Sequence, residues 1–306
     1  MEYTYLPEKY HLTIGPHTPV LSMRSGDTVN TRTVDAAGKD LNGQHVSDRW
    51  NPQTGPFFVE EAMPGDVLAV TLDKVWPNRR DGFCRPHIAP NVLEPGHLSN
   101  SVENEQFNFI LDFDLGVAAI ENPSPYLQNL KVPIRPMIGC FGVAPEKEQF
   151  ISTKTSGNYG GNMDYRGFSA GVTAYFPVFQ KGAFFHIGDG HAYQADGEIL
   201  GTGIEISMDV TFTLKVIKDH VINWPRGENE IYIFTTGNVR PMDEALQHAT
   251  SEMLRWLVDD YGLTIEDAQI IVGMHVEYDV GNVFDPAYTL VCKIPKSVLP
   301  RRSVFS

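Results

Sequence analysis

AFFHIGDGHAYQADGEILGTGIE, residues 183–205, is the stretch from which the rest of this 306-residue chain is read. Its apolar opening, residues 183–187, has the length and composition of a buried strand. Asp189, His191, Asp196, Glu198 and Glu205 then follow closely, broken repeatedly by glycine. Glycine lets the backbone turn at positive φ and lets other groups approach closely. Acids and an imidazole on tight turns at strand ends are what a divalent metal ion needs as ligands. The competing use of the same residues is plain: solvated acids on ordinary hairpin turns.

Composition narrows the classes. With 42% apolar and 20% charged residues the chain is that of a soluble globular protein. Its 27 glycines and 21 prolines are scattered, which favours many short strands over long helices. A formal charge of −14 argues against nucleic acid and against an anionic membrane surface, both of which would repel it. No apolar run reaches the ~18 residues of a membrane span. Three well-separated cysteines, Cys84, Cys140 and Cys292, fit a reducing compartment without a disulfide framework. The amino terminus, MEYTYLPEKYHL, has neither a basic n-region nor an apolar h-region. A cytoplasmic protein is expected.

Strands are predicted at 19–23, 28–34, 57–60, 67–75, 107–114, 172–179, 231–235 and 289–294. The clearest is at 206–216, where Ile206, Met208, Val210, Phe212, Leu214 and Val216 alternate with polar residues. Residues 39–50 and 81–98 read as loops, the second a lid-like excursion carrying His87 and His97 as surface histidines. Residues 153–164 form a second glycine-rich loop ending in Asp164. From Pro241 the rhythm changes: Met242, Leu246, Ala249, Met253 and Trp256 recur at helical spacing, with Pro241 suited to the first turn and Gly262 to the stop. Thr264 to Asp267 resembles a capping box opening a shorter helix. No Pro-, Gly- or Ser-rich linker sets this tail apart. The prediction is a single, mainly β domain, with a β-rich core over 1–238 and a small C-terminal α/β annex over 239–306.

The standard nucleophile arrangements are missing. There is no G-x-S-x-G elbow and no H-E-x-x-H, and Cys140 lies among apolar residues where a cysteine packs. Nor does the loop 153–164 have a phosphate-binding or dinucleotide pattern. Acids plus histidine on loops remain, which points to a metal that polarises a carbonyl and acidifies water, with a carboxylate as general base. His191 lies two residues beyond Asp189, so in an extended segment both address one side. Asp164 is the third candidate ligand, its alternative use being a cap or turn. Glu198 and Glu205 are the base candidates, although Glu205 also lies on the polar face of a strand. His186 is expected to pack in the core, and Asp35 and Asp114 are weaker additions.

At this point a family resemblance enters. Asn51-Pro52-Gln53-Thr54-Gly55-Pro56, then Val59-Glu60 and Pro64-Gly65-Asp66, resembles the N-terminal signature of the acetamidase/formamidase family. Gly142-Val143-Ala144-Pro145 is similar to its central segment, and Gly160-Gly161-Asn162-Met163-Asp164 to its Gly-Gly-Asn-x-Asp loop. Gly188-Asp189-Gly190-His191-Ala192 through Gly197-Glu198, Gly201-Thr202 and Ile204-Glu205 is similar to its most distinctive run. These motifs keep the family's order from about Pro19 to Pro295. Two departures stand out: Asn51 occupies a position where many relatives carry histidine, and Gln194-Ala195-Asp196 replaces a common Gln-Gly-Asp.

The resemblance implies a β-sandwich, a divalent metal (zinc foremost, calcium as the other option), a homo-oligomer, and hydrolysis of short aliphatic amides. Asp164, Asp189 and His191 would hold the ion, Glu198 or Glu205 would move protons, and Asn51 and Asn162 would contact substrate. Two rivals are carried with it. One is a hydrolase of the same scaffold acting on a cyclic or larger amide or a carbamate. The other is a non-catalytic β-sandwich binding module with structural calcium.

Overall fold

In the computed structural model, residues 1–97 and 106–302 are described. The alternating segment identified in the sequence is the strand Met208–Ile217, whose Met208, Val210, Phe212, Leu214 and Val216 are all buried. It pairs antiparallel with Asp27–Arg32 on one side and Val67–Pro77 on the other. These three sit in a nine-stranded sheet that continues through Thr173–Pro177, Arg226–Glu228, Tyr232–Asn238 and Thr289–Pro295 to Glu277–Asn282, with Glu2–Thr4 at the opposite edge.

A six-stranded sheet stacks on one face of the large one. Its order is Ser156–Gly157, Gly160–Asn162, Met137–Gly142, Phe185–His191, Gln53–Val59 and Leu21–Met23. Aromatic rings lock the two layers: Phe212 of the large sheet meets Phe57 and Phe185 of the small one, centroids 5.1 and 5.2 Å apart, and Phe176 meets Phe141 at 5.2 Å. Edge-to-face packing of this kind adds about 0.5–1.5 kcal/mol per pair beyond the area buried. The architecture is mainly β, a sandwich as expected. A smaller four-stranded sheet, Lys131–Pro133, Val117–Ile120, Phe107–Asp112 and Asp81–Cys84, flanks it.

The other face of the large sheet carries the helices. Along Val67–Pro77, Leu68, Val70 and Leu72 enter the sandwich core, while Val67 and Ala69 face the second cluster with Ile233, Cys292 and Ile294. Helix α1, Met242–Asp259, covers that face with Ala249, Met253, Trp256 and Leu257; helix α2, Ile265–His275, adds Ala268 and Val272. Pro241 stands just before α1, as its N-cap, rather than inside the first turn. Gly262 ends α1 at φ +68°, donating its N–H to the Val258 carbonyl. The Thr264 hydroxyl accepts the Asp267 N–H at 3.1 Å, the forward half of a capping box. Among the described residues no helix is long and apolar enough to cross a membrane.

Several local expectations change. The irregular Asn-Pro-Gln-Thr-Gly-Pro stretch is itself strand from Gln53 onward, because Gln53 and Thr54 pair with Gly188 and Ile187. The 81–98 loop opens as a strand, Asp81–Cys84, and its last residue lies outside the described ones. The 153–164 loop contains two short paired strands. The organising strand does not stop at Ile187. It runs to His191, since Met137–Gly142 and Gln53–Val59 supply hydrogen-bonding partners on both sides. Pairing to neighbours here overrides what Gly-Asp-Gly reads as locally.

Candidate active site

That continued strand places Asp189 and His191 at the centre of the six-stranded sheet, both buried. The pleat is interrupted at Asp189, whose φ is +60°. Its carboxylate and the imidazole still meet, with Asp189 Oδ1 3.6 Å from His191 Nε2. Glu205 joins them from the side: its backbone bridges Phe83 of the four-stranded sheet and His191, and its Oε1 lies 3.1 Å from Nε2. Asp164 arrives across Gly139, where an added Cβ would collide with Asp164 Oδ1 and lie 2.9 Å from Asp189 Oδ2. Only glycine lets these two carboxylates approach that strand so closely. Asn51, Asp164, Asp189 and Glu198 all have positive φ. Non-glycine residues held there cost on the order of 1–3 kcal/mol each, and such strain concentrates at functional sites.

The tautomer of His191 follows from its neighbour. Gln194 Nε2 donates to the carbonyls of Asp164 and Gly281, so its Oε1 must accept, and that oxygen lies 2.8 Å from His191 Nδ1. Nδ1 therefore carries a proton. Nε2 is left facing Asp189 and Glu205, without a hydrogen bond of good geometry. A neutral imidazole would point a lone pair at two carboxylates, which calls for a cation or a second proton between them.

Beside this trio lies a second cluster. The Asn282 side-chain N–H2 reaches Asp164 Oδ2 at 2.8 Å, Glu198 Oε2 at 2.7 Å and Asp285 Oδ2 at 2.9 Å. Asn162 donates to Asp285 as well, and Asn51 donates to both Asn162 (2.9 Å) and Asp189 (3.0 Å). Burial raises every one of these acids that shifts. Glu205 is pushed up to about 7 by burial and by Asp189, and Asp285 to about 6 by the same causes. Asp164 and Glu198 rise well above the ordinary carboxylate range, through burial and then through Asp189 and Asp164 respectively. Burial opposes charge on His191, but Glu205 and Asp189 outweigh it and raise its pKa.

Donor atoms for a cation are present in two overlapping groups: Asp189, His191 and Glu205, and Asp164, His191 and Glu198, each with its ligand atoms within 4.8 Å of one another. Asp164 Oδ1, Asp189 Oδ1, His191 Nε2 and Glu205 Oε2 are all buried without a hydrogen-bond partner among the described residues. Buried polar atoms left this way are costly. One imidazole nitrogen with several carboxylates matches the donor preference of zinc and related divalent ions.

A cavity of about 270 Å³ opens onto this floor. Asn51, Asn162, Asp189, Glu198, Glu205 and Asp285 line it, with Trp50, Phe83 and Phe284 as apolar wall. The seven residues singled out from the sequence thus gather in one place, with Asp164 and His191 just behind the lining. The weaker candidates go elsewhere. Asp35 is buried against Arg79, Asp114 is exposed on a turn, and Asp196 pairs with Arg166 at 2.8 Å. His186 is buried in the sheet, 2.9 Å from the Gly15 carbonyl. Cys140 packs with its thiol near the Thr153 carbonyl, and His97 is exposed. Sequence reasoning missed Gln194, Asn282 and Asp285. The signal for the last two was Asp-Val-Gly-Asn-Val-Phe-Asp-Pro at 279–286, polar residues flanking a turn directly after a strand.

Comparison with known proteins gives a consistent picture. The sequence model described as the Acetamidase/Formamidase family matches residues 6–157 and 149–299. The fold superposes on the acetamidase of Yersinia enterocolitica with a TM-score of 0.85 at 31% identity, covering 98% of this chain and 94% of that one. On the acetamidase of Bacillus halodurans the TM-score is 0.82 at 28% identity, covering 96% and 97%. A Schizosaccharomyces pombe protein, provisionally a formamidase, is 22% identical over 65% of this chain; the match spans 62% of that relative's length. With the family signature running across nearly its whole length, this chain belongs to the acetamidase/formamidase family.

Proposed function

We propose that the chain is a divalent-metal-dependent amidase that hydrolyses short linear amides, of the formamide or acetamide class, to carboxylate and ammonia. The observation that carries this reading is the set of buried donor atoms without partners, from Asp164, Asp189, His191 and Glu205, around the floor of the cavity. In this reading Asp189, His191 and Glu205 hold the ion, with Asp164 Oδ1 as a further donor. Zinc suits the imidazole nitrogen better than calcium, which prefers oxygen alone. When bound, such an ion supplies a Lewis acid for the amide carbonyl and lowers the pKa of water.

The remaining chemistry falls to the side chains. Gln194 keeps the His191 ring oriented with Nε2 inward. Glu198, steadied by Asn282, takes the proton that the attacking water gives up. Amide nitrogen leaves poorly unless protonated, and the Glu198–Asn282–Asp285 cluster is built to hold a proton close to it. Asn51 and Asn162 line the cavity and orient the amide. Cytoplasmic residence is supported by the three free cysteines, and a homo-oligomer by exposed Ile270, Met274 and Tyr278 on and after α2.

The test is ammonia release from formamide, acetamide and propionamide before and after chelation, with zinc added back. Chelator-sensitive release restored by zinc is expected. Release that ignores chelation defeats the metal assignment. No release from any of the three by zinc-loaded protein defeats the substrate class.

A further inference from the structure

The cavity has two chemically different ends. Its floor is acidic, but Arg49, Arg85 and Lys154 stand at the same lining as Trp50. The Arg85 guanidinium lies 4.6 Å and the Lys154 ammonium 5.0 Å from the Trp50 ring centroid. Among the described residues, none of the three cations forms an ion pair. Stacking uses the face of a guanidinium and leaves its in-plane N–H groups free to bind a carboxylate. This is a concentration of positive charge in a chain whose net charge is −14.

The arrangement is held by backbone. Trp50 has φ +81°, a real outlier for a bulky side chain, and Asn51 follows at +56°. The Trp50 N–H donates to the Ala36 carbonyl at 2.7 Å, and its own carbonyl accepts from the Thr153 hydroxyl at 3.0 Å. Two consecutive left-handed residues thus send Trp50 among the cations and the Asn51 amide to Asp189. The Arg85 N–H is tied to the Thr202 hydroxyl at 2.9 Å. Space is also in excess. A three-heavy-atom amide needs the room of roughly three waters, at ~30 Å³ each, against about 270 Å³ here.

We propose that, among short linear amides, the preferred substrate is a primary amide with a carboxylate at its far end, the monoamide of a short dicarboxylic acid, whose anionic group is bound by Arg49, Arg85 and Lys154 beside Trp50. This deepens the amidase reading and rests on it for the reaction. Water adds to the amide carbonyl, the carbon–nitrogen bond breaks, the nitrogen leaves as ammonia, and a dicarboxylate is released. An exposed ion pair is worth a factor of up to about five, so the cations lining this end of the cavity give a preference of roughly ten-fold.

The experiment compares succinamate with its uncharged isostere 4-oxopentanamide, and glutaramate with 5-oxohexanamide, on zinc-loaded protein. The expected result is kcat/KM favouring the anion roughly ten-fold at low salt, a ratio that shrinks at high salt and in both R85Q and K154Q. A ratio of one or below, or one that neither substitution changes, overturns the proposal; turnover of the neutral isosteres would then leave the amidase reading intact. If no amide is hydrolysed, that reading falls, and calorimetric titration decides recognition separately. Tighter binding of succinamate than of 4-oxopentanamide, weakened in R85Q and K154Q, supports the anion site, and equal binding overturns it.

Discussion

Behind helix α1, Arg226 and Glu252 are both buried, with the guanidinium Nη2 2.7 Å from the carboxylate, and Arg255 adds a second contact at 2.9 Å. Next to them Asp260 meets Arg302 at 2.8 Å and His220 at 3.2 Å. At the cavity floor, by contrast, Asp164, Asp189, Glu198, Glu205 and Asp285 share one imidazole and a few amides. Burial pushes acids up in both places. Behind the helix, His220 and Arg302 outweigh it, and Asp260 is held below its ordinary value. At the floor nothing outweighs it for Asp164, Glu198, Glu205 and Asp285, which rise. Equal burial therefore yields a charge-balanced strut in one region and an unbalanced, proton-holding pocket in the other. An imbalance of that kind marks chemistry more than stability.

The largest effect expected from this contrast is on turnover. Asp189→Ala or His191→Ala should lower kcat/KM by at least about a thousand-fold, with metal content falling in parallel. Either variant keeping both full activity and full metal, measured by amide assay and elemental analysis, would sink the site assignment. Stability comes next. Glu252→Ala leaves buried Arg226 with only the longer contact to Asp260 at 3.8 Å, so urea unfolding should show a loss of about 3 kcal/mol. A loss under ~1 kcal/mol would mean the strut is dispensable.

The same measurement on Asp164→Asn in chelated protein should give no loss, or a gain of about 1 kcal/mol, since a crowded acid is removed while the Asn282 hydrogen bond keeps an acceptor. Destabilisation beyond ~2 kcal/mol would show that the pocket is balanced after all. The smallest effect concerns pH. A folded-state pKa below the unfolded 3.8 means that the stability from Asp260 is present above pH 3.8 and is lost as pH falls through the lower folded value. Urea midpoints of Asp260→Asn should accordingly fall less steeply with acidification than those of the parent. Parallel slopes would refute it.

Much of the frame was legible because it obeys local periods. The strand Met208–Ile217 announced itself by alternation, α1 by its recurring apolar residues, and the cap of α2 by Thr264 and Asp267. Gln53 and Thr54 did not, since their strand character comes from pairing with Gly188 and Ile187 rather than from their own side chains. At the site, acids and a histidine flanked by glycines marked Asp189, His191, Glu198 and Glu205. Asn282 and Asp285 left only a weak signal, because amides and acids around a strand end look like any surface turn. Only the third dimension brings Asn282 to Asp164, more than a hundred residues earlier in the chain. Which atom of His191 faces inward was equally out of reach, because it depends on two carbonyls that orient Gln194.

The strand Glu277–Asn282 at the edge of the large sheet also bears on how the protein comes to life during synthesis. Among the described residues it pairs only with Thr289–Pro295, and it delivers the amide on which Asp164, Glu198 and Asp285 converge. A nascent chain that has already emerged through residue 238 has every acid from Asp164 to Glu205 but not the group that organises them. The pocket therefore cannot be complete until the strands Glu277–Asn282 and Thr289–Pro295 have joined the large sheet. A chain with that hairpin undocked would lack the Asn282 amide at the acids, and recovery of activity in a refolding experiment would report its docking.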